Sequence, residues 1–178
     1  MAEPGSHPIT LLFFAVPEEA RPFLRRWEQV RGSAAAAGRG PGLAAWVLES
    51  DRIEVHVTGM GSHNAQRTGT AALSGRPVGT LITAGFAGGL NPALPRGTVL
   101  YEADPGISQR TVEEWKAAGA HPGRFVEVSR VAVTPADKER LQMETGADAV
   151  EMESSTLRSL ARERGIPSAT VRVISDAA

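Results

Sequence analysis

Three observations predict an α/β fold, built as three layers with helices flanking a central mixed, largely parallel sheet. Apolar strand-like runs alternate with helix-patterned stretches along the whole 178-residue chain. The first run, Ile9 to Val16, is apolar in the way of a parallel strand covered on both faces. Glycine-rich segments follow the strand-like runs, at the carboxyl ends where open α/β sheets bind ligands.

The elements follow in order from local pattern. Residues 1–8 form a tail expected to be disordered. Pro17 suits the first turn of a helix, with Glu18 and Glu19 near its positive end and Ala20, Phe23, Leu24 and Trp27 at helical spacing. Arg31 to Gly42, rich in Gly and Ala, reads as a flexible loop or worn hairpin connection. Leu43 to Leu48 and Ile53 to Thr58 are strands around a polar turn, and a helix is expected from about His63 to Leu73. Val78 to Thr83 is a buried strand that ends in Ala84-Gly85-Phe86-Ala87-Gly88-Gly89. A short strand spans Gly97 to Tyr101, a short helix surrounds Val112 to Ala118, and Phe125 to Val133 is strand-like. Thr134 with Pro135 predicts a helix start, running to about Glu144. A last helix covers Ser154 to Arg164 and a last strand Ser168 to Ile174. No repeat or linker divides the chain, so residues 1–178 are expected to form a single domain.

Composition excludes several functions. A hydrophobic share of 42%, a charged share of 22% and a net charge of -1 leave no basic footprint for nucleic acid or an anionic membrane. The run Ile9 to Val16 is too short to span a bilayer, and no targeting segment precedes it. The absence of cysteine excludes disulfides and thiolate sites and is compatible with a cytoplasmic location. His7, His56, His63 and His121 are scattered without metal-ligand spacing, so no metal is expected.

Two acidic residues on different elements carry the functional signal. Glu153 opens the last helix, and Asp176 sits at the edge of the last strand. Carboxyl groups held in different environments divide acid and anion roles at neutral pH. Gly59-Met60-Gly61-Ser62 either aims backbone N–H groups at an anion or hydroxyl-rich ligand, or is a plain strand–helix turn. It is not a Walker loop, and Asn64 stands where a dinucleotide fingerprint needs its third glycine. Glu18 and Glu19 are either helix-dipole partners or a general base facing the same crevice.

Taken together, Ala15-Val16-Pro17-Glu18-Glu19, Thr58-Gly59-Met60-Gly61, Thr83 to Leu90 with Gly97, Gly146 to Ser154 and Arg172-Val173-Ile174-Ser175-Asp176 resemble the purine nucleoside phosphorylase and uridine phosphorylase superfamily. Within it they look most like the nucleosidase branch, which includes methylthioadenosine/S-adenosylhomocysteine nucleosidase, futalosine hydrolase and hopanoid-associated phosphorylase-like proteins. The resemblance implies cleavage of a purine nucleoside-like substrate, without organic cofactor, by a homo-oligomer. Asp176 matches the acid that protonates the leaving purine, and Glu19 the carboxylate that activates water. Glu153 matches the residue holding the ribose hydroxyls, with Met152 against the sugar and Glu151 beside them. Phe86, Ala87 and Gly88 match the base and ribose lining, Ser175 lies beside the base, and Gly61 joins the binding set. Phosphorylases of the superfamily place an arginine before the central glycine segment, where this chain has Leu81-Ile82-Thr83-Ala84-Gly85. Its absence favours water over phosphate as nucleophile. The alternatives are phosphorolysis, with phosphate near Gly59 to Ser62, and a relative that binds or interacts without turnover. Relatives continue past Ile-Ser-Asp into a C-terminal helix, so a fold lacking that helix is expected of a chain ending at Ala178.

Overall fold

In the computed structural model, residues 8–31, 35–40, 43–48, 52–75, 77–129 and 134–176 are described. The tail at 1–7 and the stretch 130–133 lie outside them. Strand β1 (Ile9–Phe14) leads into helix α1 (Pro17–Arg31), with Glu18 and Glu19 in its first turn as the sequence predicts. The strand stops two residues before Val16 because the N–H groups of Ala15 and Val16 turn to the Glu19 carboxylate, at 2.9 and 3.3 Å.

The chain continues through β2 (Ala35–Gly40), β3 (Leu43–Leu48), β4 (Ile53–Val57), α2 (Ser62–Ala72), β5 (Val78–Gly89) and β6 (Val99–Ala103). Then come α3 (Gln109–Ala117), β7 (His121–Pro122), β8 (Phe125–Glu127), α4 (Pro135–Thr145), β9 (Ala149–Glu151), α5 (Ser154–Arg162) and β10 (Ser168–Asp176). The main sheet order is β2-β3-β4-β1-β5-β10-β6-β7. Its centre, β4-β1-β5-β10, is parallel throughout, while β2, β3 and β6 join antiparallel.

Alternation along β1 divides the core between the two faces. Leu11 and Phe13 pack with Ala65 and Ala72 of α2 and Leu157, Leu160 and Ala161 of α5. Leu12 and Phe14 pack with Ala20, Phe23, Leu24 and Trp27 of α1. Helices therefore cover both faces of the parallel centre, which gives the predicted three layers. On the α1 face, Leu12, Phe14, Ile82, Ala84, Val171 and Trp115 help line an apolar groove of about 300 Å³. The last described element is β10.

Several elements differ from the predicted ones. β2 occupies part of the expected loop, paired antiparallel with β3. β5 does not end at Thr83 but runs through Gly89, because the glycine segment keeps pairing with β10 and then with β9. α3 begins three residues before Val112, where the Ser108 hydroxyl accepts the Thr111 N–H. β8 covers only the start of the expected strand and pairs with β9. α4 has the predicted Thr134 cap and closes on Gly146 in the left-handed region.

Asp104 follows β6 and ties it to two other elements. Its carboxylate accepts from the Ser168 hydroxyl at 2.6 Å and backbone N–H at 3.2 Å, and from Arg158 of α5 at 2.6 Å. Burial raises its pKa, but these hydrogen bonds and the Arg158 charge outweigh it and hold the carboxyl below the ordinary range. A lowered folded pKa contributes stability above the unfolded value and loses it as pH falls through the folded one. Asp104→Ala should cost about 2–3 kcal/mol at pH 7 by urea unfolding. The difference from the native chain should shrink below the usual carboxylate range; a pH-independent difference would contradict the assignment.

Candidate active site

The carboxyl ends of β1, β5 and β10 open into a cavity of about 310 Å³. Its lining includes Glu19, Phe86, Ala87, Gly88, Glu151, Met152, Glu153, Ser175 and Asp176. Nine of the ten residues singled out from sequence therefore meet at one place. Gly61 is the exception: its neighbour Met60, 66% exposed, lines the cavity instead. The Gly61 N–H donates to Glu153 Oε1 at 2.8 Å. The N–H that the glycine turn offers is thus taken by the protein's own Glu153 side chain. The Gly61 φ of +87° suits a glycine there.

Glu19 projects from the first turn of α1 and is held by backbone groups of two segments. Oε2 faces the Ala15 and Val16 N–H groups, and Oε1 accepts the Phe86 N–H at 2.8 Å. This approach depends on Gly85, whose φ is +142°. A Cβ there would stand 2.6 Å from Glu19 Oε1 and 2.7 Å from Arg172 Nη1. The missing Cβ at Gly85 thus lets Glu19 and Arg172 sit side by side.

Arg172 on β10 opens the motif that ends at Asp176, but motif matching assigns it no role. It is 2% exposed and anchors a buried acidic cluster. Nη2 lies 2.8 Å from Glu151, 3.0 Å from the Ser154 hydroxyl and 3.6 Å from Glu153, while Nη1 donates to the Ala84 carbonyl. Glu151 also accepts the N–H groups of Glu153 and Ser154, at 2.9 and 2.8 Å, and so caps α5 from within the site. An arginine inside an apolar central strand needs acidic partners. That mismatch in Ser168 to Ile174 was the available sequence signal.

Asp176 is aimed by an irregularity in β10. The register shifts between Ile174 and Asp176, so Asp176 pairs with Gly88 and Ser175 is passed over. A Cβ at Gly88 would crowd Val150 Cγ1, at 3.1 Å, and make only ordinary contact with Asp176 Oδ1, at 3.7 Å. The Ser175 hydroxyl is 2.7 Å from Oδ1 and 3.2 Å from the Ala87 carbonyl. Lys138 of α4 reaches Oδ2 at 2.5 Å.

The two acids differ in environment. Burial pushes the Glu153 pKa up; the Gly61 N–H and Arg172 oppose it, Glu151 and Glu19 reinforce it, and the net direction is upward. Burial also raises Asp176, but hydrogen bonds from Lys138 and Ser175 and the charges of Lys138 and Arg96 prevail, and its carboxyl lies below the ordinary range. Of the two, Asp176 is the carboxyl whose surroundings favour the ionised form.

Among the described residues, no group of three or more His, Asp or Glu side chains is arranged to hold a metal. No described helix is long and apolar enough to cross a membrane.

No curated protein matches the sequence significantly. Solved structures do. The futalosine hydrolase of Helicobacter pylori superposes with a TM-score of 0.76 at 20% identity, over 95% of this chain and 88% of that one. The 5′-methylthioadenosine/S-adenosyl homocysteine nucleosidase of Campylobacter jejuni gives 0.78 at 18% identity, over 97% and 87%. A putative nucleosidase of the same name from Francisella philomiragia gives 0.79 at 22% identity, over 97% and 87%. At such identities the likeness shows the fold alone. The model of the Phosphorylase superfamily matches residues 11–101 and 99–178, nearly the whole chain, and the protein belongs to that superfamily.

Proposed function

We propose that the protein cleaves the N-glycosidic bond of a purine nucleoside-like substrate by hydrolysis. The observation that carries this reading is the meeting of Glu19, Glu153 and Asp176, from opposite ends of the chain, in one cavity of about 310 Å³. That volume falls in the range of small-molecule sites. Glycosidic cleavage passes through an oxocarbenium-like sugar and needs negative charge near it, a base for water and an acid for the leaving group. Glu153 and Met152 hold the ribose, and Phe86, Ala87, Gly88 and Ser175 border the base. Glu19 takes a proton from water as its oxygen bonds to the anomeric carbon. The C–N bond pair passes to the purine, which takes a proton from Asp176 at a ring nitrogen.

The engagement of the Gly61 N–H with Glu153 supports water over phosphate, because it takes up an amide that a phosphate near Gly59 to Ser62 would use. Arg172 is likewise enclosed by Glu151 and Glu153. The substrate classes named for the solved structures, futalosine and methylthioadenosine or S-adenosylhomocysteine, are the first to test. By the same family resemblance we expect a homo-oligomer. A panel of purine nucleosides should give free base and free ribose at a rate independent of phosphate. Ribose 1-phosphate as product would overturn hydrolysis, and binding without base release from any nucleoside would overturn cleavage.

A further inference from the structure

The proposed reaction draws a proton from Asp176, yet that carboxyl is paired with a cation, Lys138. The missing proton lies directly behind it. Lys138 is the buried residue of α4, with its side chain 8% exposed and Nζ 2.5 Å from Asp176 Oδ2. Lysines are seldom this buried unless paired. The Thr134 cap and the left-handed Gly146 fix both ends of the helix that presents it. Asp176 lines the cavity and Lys138 does not, so the lysine reaches substrate only through the aspartate.

We propose that Lys138 is the proton store of the leaving-base step, a positioning residue that passes its proton through Asp176 to the purine. The inference rests on the assignment of Asp176 as the acid. When the base covers Asp176 and displaces water, an ion pair in the drier site loses ground to a neutral acid–amine pair. One Nζ–H bond breaks and one Oδ2–H bond forms, and the opposite charges of the pair vanish together. Rotation about the C–O bond turns that proton toward the base. As the glycosidic bond breaks, its electron pair goes to the purine, the Oδ2–H bond breaks and an N–H bond forms on the ring. Asp176 is left as carboxylate, and the Lys138 amine regains a proton from water once the base departs. Among the described residues, the charged groups facing the pair include Arg96, in the turn before β6, and Glu19, Glu151 and Glu153 across the cavity. Arg96 is exposed, whereas Lys138 is both buried and in contact.

The test separates charge from proton. Arginine keeps the positive charge but cannot give up a proton, and methionine removes both. At neutral pH, Lys138→Arg should lower kcat about 10²-fold with KM little changed. Lys138→Met should lose a similar factor at neutral pH and recover as pH falls into the carboxylate range. Freed of its positive neighbour, Asp176 then takes its proton from solvent. Thermal melts check that both variants fold; methionine, close to lysine in length, decides alone if arginine does not fit. Full kcat in Lys138→Arg, or a native pH profile in Lys138→Met, would overturn the proton store. Undiminished base release in Asp176→Asn, or none by the native chain, would instead overturn the underlying assignment of the acid.

Discussion

Glu19→Gln is expected to lower base release by about 10²–10⁴-fold, the range for loss of a general base. The glutamate is held by N–H groups on both oxygens, from Ala15 and Val16 on one side and Phe86 on the other. Glutamine has one acceptor oxygen, so in either orientation its NH₂ faces a backbone donor. The variant should therefore also lose about 1–2 kcal/mol of stability, visible by urea unfolding. The proposed substrate contacts from Glu153, Met152 and Phe86 remain, so KM should change little while kcat collapses. An unaltered kcat would remove Glu19 from the reaction and leave it as the clasp between α1 and the end of β5.

Arg172→Met should cost about 3–5 kcal/mol, because it leaves Glu151 and Glu153 buried without their cation. Both acids are almost fully enclosed, at 6% and 5% exposure. Without Arg172, which opposes the effect of burial, Glu153 should bind its proton more tightly in the folded state than in the unfolded one. Folded pKa values raised in this way give stability below the unfolded pKa that is lost as pH rises. Urea unfolding should thus show a smaller penalty near pH 5 than near pH 8. Equal penalties at both pH values would mean that packing of the arginine stem, not charge, accounts for the loss.

Much of the frame was legible because hydrophobic pattern and punctuation agreed. The apolar run at Ile9, Pro17 with its acids, and the Thr134 cap each specify an element through chemistry confined to a few residues. The elements that differed depend on partners remote in sequence. Ala84 to Gly89 looks like a turn on local grounds and becomes strand because β10 and β9 pair with it. The site residues clustered as expected, with Gly61 withdrawn from the cavity by Glu153. The charge states were not legible. The environment of Asp176 depends on Lys138, 38 positions away on a helix whose sequence gives no sign of facing inward. That of Glu153 depends on burial, which no local motif encodes.

The joints that assemble the cavity connect distant stretches of chain. Glu19 to Phe86 spans 67 positions, Gly61 to Glu153 spans 92, and Arg172 to Ala84 spans 88. Each joint closes only after non-adjacent strands have paired, and such closures are the slow, entropically costly part of folding. The cavity therefore matures late, with its lining divided between residues 15–88 and 128–176. A ligand that requires all three joints binds only the finished molecule, so it should retard unfolding and proteolysis of the whole chain and leave folding intermediates untouched.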